Sequence, residues 1–286
     1  MRVLLSILIA ALAALASAAP VYDGFSGLTL TNAVLNGHSY VYNSPANSST
    51  DPQARVTFSV AHVYGAPFER GQAYGRLFKK QILAMMREHV PRYFNAQNIG
   101  PKVANEYLPR HMQERLKAAR GDATWPAMYE AMEWVYAQQE YYLAADPAKP
   151  LDALKGLAIG LCDGDKTCDV AEMIHEVSVI NIFPEFVRMG CSIVGSWGPA
   201  NDPSCPNLIQ LRALDFGDGP WANNHVVLVE HPDNGNAFAS LSFYGIMGVV
   251  TSISEKITQT EKLFMNHQGF QVRLHISFNI HVSLTI

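Results

Sequence analysis

The stretch Met189-Gly190-Cys191-Ser192-Ile193-Val194-Gly195-Ser196-Trp197, followed by Leu208-Ile209-Gln210-Leu211-Arg212-Ala213-Leu214-Asp215-Phe216, marks the point where the chain changes period. Before it, from Phe68 to about Phe183, apolar residues recur at helical spacing. Ala73, Leu77 and Ile82, then Met85, Met86 and Val90, predict a helix that Pro91 ends. Val103, Tyr107, Met112 and Leu116 predict a second helix, and Met128, Met132 and Val135 a third that opens after Pro126. Leu151, Leu154 and Leu157 predict a fourth, and Val170, Ile174, Val177 and Ile180 a fifth. After Cys191 short β-rich runs take over at 192–197, 208–211, 225–230, 237–243 and 246–253, separated by turns such as Pro232-Asp233-Asn234-Gly235. Helices first and antiparallel strands second make an α+β class.

Working outward, the N-terminus reads as a targeting signal. Arg2 supplies a positive start, Val3 to Leu15 an apolar run, and Ala16-Ser17-Ala18 a small-x-small cleavage site. That run is short for a bilayer span of ~20 residues, so residues 1–18 are expected to be a cleaved signal peptide and the mature protein soluble. Asn47-Ser48-Ser49 is then an acceptable glycosylation sequon at Asn47. The net charge of −4 and pI near 6.2 give no basic field for nucleic acid. Ten histidines would carry the balance toward positive in an acidic lumen. At the other end, from Phe270 to Ile286, even-numbered residues are apolar and odd-numbered ones polar. That alternation is longer than a usual strand and, if exposed, an aggregation hazard.

The candidate chemistry is narrowed by what is missing. There is no Walker loop, GxSxG, HExxH or paired CxxC, and no His pair to complete a zinc site with Cys162 and Cys168. Neither a metal nor an organic cofactor is implied. Gly71 and Gly75 do not form a nucleotide-binding fingerprint; close helix packing is the better reading. Cys162 and Cys168 bracket the polar loop Asp163-Gly164-Asp165-Lys166-Thr167 and could close it as a disulfide, while Cys205 lies in another loop. His175 sits among apolar helix residues and reads as a helix histidine rather than a base.

The Gly190-Cys191 step, the hairpin and the Arg212-x-x-Asp215-Phe216 run resemble the start of the mature subunit in N-terminal-nucleophile hydrolases of the acid ceramidase, choloylglycine hydrolase and acyltransferase group. Asn181-Ile182-Phe183-Pro184-Glu185, Gly65-Ala66-Pro67-Phe68-Glu69-Arg70-Gly71 and His231-Pro232-Asp233-Asn234-Gly235-Asn236-Ala237 are similar to the acid ceramidase branch, and in particular to its slime-mould secreted members. The resemblance runs from about Tyr64 to Lys256. It implies an Ntn-hydrolase fold, an αββα sandwich, beginning at Cys191. A mainly helical small-subunit or lid region would span residues 19–190, the start of the catalytic domain 191–256, and an atypical tail 257–286. The tail does not look like the family's continuation, so the resemblance predicts a catalytic domain incomplete at its C-terminus, and activity in doubt with it.

The resemblance also assigns roles. The Cys191 sulfur would attack the carbonyl of Gly190, where no Cβ obstructs approach, and an N-to-S acyl shift followed by hydrolysis would free the Cys191 α-amine. With an unperturbed pKa of about 7.7–8.0 that amine is a general base for its own thiol. Asp215 would orient the amine, and Arg212 would supply charge beside the reacting carbonyl. The implied activity is hydrolysis of N-acyl amides of the ceramide or N-acylethanolamine type, in a lysosomal or secreted setting, with transient contact with a membrane surface. A phospholipase B-like esterase and a non-catalytic lipid-binding relative are the alternatives. Cys191 as a plain buried thiol or disulfide partner, Arg212 and Asp215 as a structural ion pair, and a papain-like pairing of Cys191 with His225 or His231 are the readings to be weighed against it.

Overall fold

The computed structural model describes residues 28–43, 57–104, 106–183, 190–196, 209–215, 219–220, 224–248, 251–254 and 258–260. The signal segment, Asn47, Cys205, Trp197, Trp221 and the alternating segment 270–286 lie outside the described residues.

The architecture is α+β, and the strands do not all follow the helices. Strands β1 (Leu28–Val34), β2 (Gly37–Asn43) and β3 (Thr57–Tyr64) precede the first helix. The sequence reading of 19–190 did not include these three strands. The first hairpin turns through Leu35 and Asn36, with Asn36 in the left-handed region at φ 62°, a conformation that asparagine tolerates better than most residues. Chain order then gives α1 (Pro67–Ala84), a π-turn (Met85–His89), α2 (Val90–Gln97), α3 (Gly100–Val103), α4 (Arg110–Ala118), α5 (Thr124–Ala145), α6 (Pro150–Cys162) and α7 (Val170–Asn181). Strands β4 (Gly190–Ser196), β5 (Ile209–Asp215), β6 (His225–His231), β7 (Phe238–Phe243), β8 (Thr251–Ser254) and β9 (Thr258–Thr260) complete it.

Seven strands form one mixed sheet in the order β1-β2-β3-β6-β7-β8-β9, and β4 and β5 pair by themselves. Every ladder is antiparallel except β3–β6, which runs parallel from Ser59↔Val226 to Tyr64↔His231. Within the stretch 246–253, read as one strand, 246–248 are not strand and the short β8 begins at Thr251.

Helix α1 starts where its sequence says it should. Gly65 makes the bend at φ +98°, Pro67 occupies the first turn, and the Ala66 amide donates to Glu69 Oε2 at 2.9 Å. Pro91 does not end the helical run. The Val90 amide bonds to the Met85 carbonyl, five residues back, so the turn before Pro91 is wide. That width accommodates a ring that would collide with the carbonyl four residues earlier in a regular helix. The second expected helix is broken: α3 and α4 are separated by 104–109, with Pro109 capping α4.

One sheet face carries the main core. Ala61, Val63, Val226 and Leu228 are buried on it, and the Ala73–Leu77 face of α1 packs there; a Cβ on Gly37 of β2 would touch Ala73 and Leu77. Behind α1 lies α6, and the two cross at glycines on both sides. A Cβ added to Gly75 would lie 2.5 Å from the Leu157 carbonyl oxygen; Cβ atoms on Gly71, Gly156 and Gly160 would likewise run into the carbonyls of Ala153, Phe68 and Gln72. Gly71 and Gly75 thus serve close packing, as their sequence context suggests.

Candidate functional site

The residues singled out around Cys191 fall on the β4–β5 ribbon, and the register relates them. Gly190 lies opposite Asp215, Cys191 opposite Leu214, and Ile193 opposite Arg212. The scissile step proposed from sequence, Gly190–Cys191, is therefore level with Leu214–Asp215 across an antiparallel ladder. The stretch 209–215 is a full strand, longer than the 208–211 read from sequence, and that extension carries Arg212 and Asp215 into the ladder.

Upstream of the ribbon, the end of α7 is fastened to the sheet. The Asn181 side chain donates to the carbonyls of Val177 at 2.8 Å and Gly245 at 2.9 Å, and its oxygen accepts the Met247 amide at 2.7 Å. Asn181 belongs to the quoted run 181–185, so its position was visible in sequence; its task, clamping the turn at 244–247 to the helix, was not. Nearby, the Tyr74 hydroxyl donates to the Phe243 carbonyl at 3.3 Å and accepts the Gly245 amide at 3.1 Å.

The alternative bases have other partners. His175 Nε2 meets Glu133 Oε1 at 2.8 Å on the helical surface, in keeping with a helix histidine. His231 Nε2 lies 3.1 Å from His62 Nδ1, and its ring stacks on Tyr64 with centroids 4.4 Å apart. His225 opens β6 opposite Phe243. Cys162 and Cys168 are joined in a disulfide, and the loop they close is held to α1 by Arg76 Nε to Asp163 Oδ2 and Lys79 Nζ to the Asp163 carbonyl.

Two buried features involve Arg70 and His231, which the sequence reading named, in pairings it did not foresee. Arg70 Nε donates to Glu230 Oε2 at 2.8 Å, and Arg70 Nη1 to the Gly65 carbonyl at 2.6 Å. Burial pushes the Glu230 carboxyl up, and the Arg70 contact works against that rise. The second feature is the imidazole row on the opposite sheet face, where His38 is paired across the ladder with His62. Burial, then the charges of His231 and His38, bring His62 down from 6.5 to about 4. The only sequence signal for either was residue type: a charged or imidazole group inside an otherwise apolar strand.

Cavities add little. An open groove of about 660 Å³ is lined by Arg87, Glu88, Arg92, Asn95 and Asp122, and Arg87 is already paired with Glu176. A small apolar void of about 10 Å³ among Met85, Val90, Phe183 and Tyr244 has room for one water at most, and is a packing defect of the core rather than a ligand site. Among the described residues no group of three or more metal-ligating side chains converges, and no helix is long and apolar enough to cross a membrane.

No family model matches the chain. It is 27% identical over 220 residues to Protein dcd1B of Dictyostelium discoideum, an alignment that covers 74% of this chain and 39% of that protein. It is 25% identical over 281 residues to Protein dcd1A of the same organism, covering 91% of this chain and 54% of the relative. The chain thus spans about half the length, or less, of the curated relatives it matches. Its similarity is to two slime-mould proteins, at a distance, and their names state no activity.

Proposed function

We propose that the chain is a lumenal or secreted amidohydrolase of the N-terminal-nucleophile type, matured by cleavage between Gly190 and Cys191 and acting on N-acylated lipids or related acyl amides. The observation that carries this reading is the β4–β5 register, which sets Gly190–Cys191 level with Leu214–Asp215 and puts Arg212 two residues further along. A nucleophile needs its base and its charge stabiliser within hydrogen-bond reach. The match to slime-mould proteins supports the branch of the family to which the motifs point.

In this reading the freed α-amine of Cys191 takes the thiol proton, and the thiolate attacks the acyl carbonyl. The amine leaving group recovers the proton, and water then releases the acyl group from sulfur. Asp215 holds the amine, and Arg212 lowers the energy of the developing oxyanion.

The test is intact-mass analysis of the secreted protein held at mildly acidic pH, beside a Cys191→Ala control. A new chain beginning at Cys191, absent from the control, is the expected result. A folded but uncleaved chain would sink the enzyme reading and leave a non-catalytic lipid-binding relative.

A further inference from the structure

The seven-stranded sheet is assembled from two distant stretches of chain, 28–64 and 225–260, which meet in a single ladder, β3–β6. On the face turned away from α1, three imidazoles line up across that ladder. His38 on β2 is directly opposite His62 on β3, and His62 Nδ1 lies 3.1 Å from His231 Nε2 on β6. The His62 and His231 rings are near parallel, 20° apart, and Tyr40 sets its ring edge-on to His62. Tyr64 stacks on His231 and meets His38 edge-on. His38 Nδ1 is buried with no hydrogen-bond partner among the described residues.

We propose that this imidazole row makes the β3–β6 seam an acid-labile joint: with at most one added proton it ties the two parts of the sheet together, and with two it drives them apart. A contact of 3.1 Å between ring nitrogens requires a single proton between them, so one ring donates and the other accepts. A first added proton can reside on His231, which then donates to His62 and gains the face of Tyr64 beneath it. A second removes the accepting lone pair of His62 and places two like charges in contact, with His38 adding a third site of the same sign.

Among the described residues, the other ties between the two stretches gain nothing in acid, the uncharged Tyr74 and Asn181 contacts to 243–247 included. Tyr244 bonds Ser59 Oγ at 2.8 Å, and the Gly65 amide bonds the His231 carbonyl at 3.1 Å; neither gains strength in acid. Arg70–Glu230 lies on the α1 side, and acid can only weaken it by protonating the carboxylate. The direction of the pH effect follows. His62 is held below its ordinary value in the fold, so the unfolded or separated state binds more protons, and the stabilisation is present above 6.5 and lost as pH falls toward about 4. The gap between those two values sets the ceiling on the effect, up to about 300-fold in the joined-to-separated ratio.

The experiment uses the full chain with a site-specific protease sequence placed between Phe183 and Gly190, in a Cys191→Ala background. Cutting is then external, and its outcome is independent of whether the protein processes itself. Size-exclusion chromatography follows the cut protein from pH 7.5 to pH 4. The expected result is co-elution of the pieces at neutral pH, separation as the pH falls below about 6, and retention of the joined form at pH 4 in His62→Gln. His231→Phe, which keeps a ring against Tyr64, serves as the second variant, and thermal melting of the uncut chain against pH gives the same comparison without a cut. Pieces that stay joined at pH 4, that never co-elute, or that separate at the same pH in both variants as in the parent overturn the proposal.

Discussion

Substituting Gly75 by alanine tests whether the α1–α6 crossing is as close as the backbone implies. The added Cβ would sit 2.5 Å from the Leu157 carbonyl oxygen and 3.1 Å from Gly160 Cα. Ordinary separations are ~3.5 Å, so the overlap with the oxygen is about 1 Å. Both obstacles are backbone in a helix and cannot rotate away; the two helices must part. Leu157 and Leu161 of α6 are buried on this helix pair. A buried leucine makes about 40–60 heavy-atom contacts at ~0.1–0.2 kcal/mol each, and a gap of 0.5–1 Å forfeits roughly a quarter to a half of each. If two such side chains keep about half of their contacts across the crossing, the loss is ~2–4 kcal/mol. Against it stands the helix-propensity gain of about 1 kcal/mol for replacing a mid-helix glycine. The net expectation is destabilisation by about 1–3 kcal/mol.

Urea or thermal unfolding measures this, with Gly248→Ala as control, because a Cβ there meets nothing within 4 Å. The control should stay within about 0.5 kcal/mol of the parent. Gly160→Ala should resemble Gly75→Ala, and the double variant should cost less than the sum by about 1 kcal/mol, since helices already parted accept the second methyl cheaply. A Gly75→Ala protein that melts at or above the parent would refute the reasoning, for then propensity would outweigh contact and the helices would not touch at these glycines.

Three further outcomes follow. Asn181→Ala should cost roughly 2–3 kcal/mol in unfolding experiments, because it orphans the Gly245 carbonyl and the Met247 amide in a part-buried turn; Asn181→Asp should restore the contact to Met247 and lose the one to Gly245. Reduction of Cys162–Cys168, which are six residues apart, should lower stability by about 2 kcal/mol on loop-closure grounds, read as a shift in Tm with and without reductant. Arg70→Ala should cost about 3–5 kcal/mol by leaving Glu230 buried without its cation, and a second change, Glu230→Gln, should recover part of that loss in the same melts.

How far these features could be read from sequence depended on whether a segment had one wet face. Helices α6 and α7 were legible because apolar stripes sit between clear start signals: Pro150 in the first turn of one, and Asp169 accepting the Ala171 and Glu172 amides at the head of the other. Strand β6 was legible as a β-rich run, Val226-Val227-Leu228-Val229, and in the fold Val226, Leu228 and Glu230 are buried with their neighbours half-buried. Strand β3 was not. The alternation of Thr57-Phe58-Ser59-Val60 breaks at Ala61, where residues of both faces are buried from Val60 to Val63, and a histidine in the middle disguises the strand further. The Asn36-Gly37 turn signal ahead of it was present in the sequence and passed over. Pro91 was read as a stop because a regular helix forbids it, and only the wide turn at 85–89 lifts that restriction. The site followed the same division. Cys191, Arg212 and Asp215 stood out by motif, and their register is a property of the ladder; Asn181, Arg70 and Glu230 act through partners more than 60 residues away, which no local pattern encodes.

That long-range character bears on the proposed maturation. A cut between Gly190 and Cys191 would leave β1–β3 and all the helices on one piece and β4–β9 on the other. The contacts that would then hold the pieces together run through the β3–β6 ladder, the Arg70–Glu230 pair, the Tyr74 and Asn181 clamps on 243–247, and Tyr244 on Ser59. Each is formed by residues well away from 190, so cleavage removes one peptide bond and none of these contacts. A chain built this way can be cut at the base of β4 without losing its sheet. The cost is that the integrity of the cut protein passes from a covalent bond to these contacts, among which the His62–His231 contact is the one where like charges build up in acid. An enzyme matured in an acidic lumen would therefore have to complete its work above the pH at which His62 takes a proton, or keep the seam closed by binding its substrate.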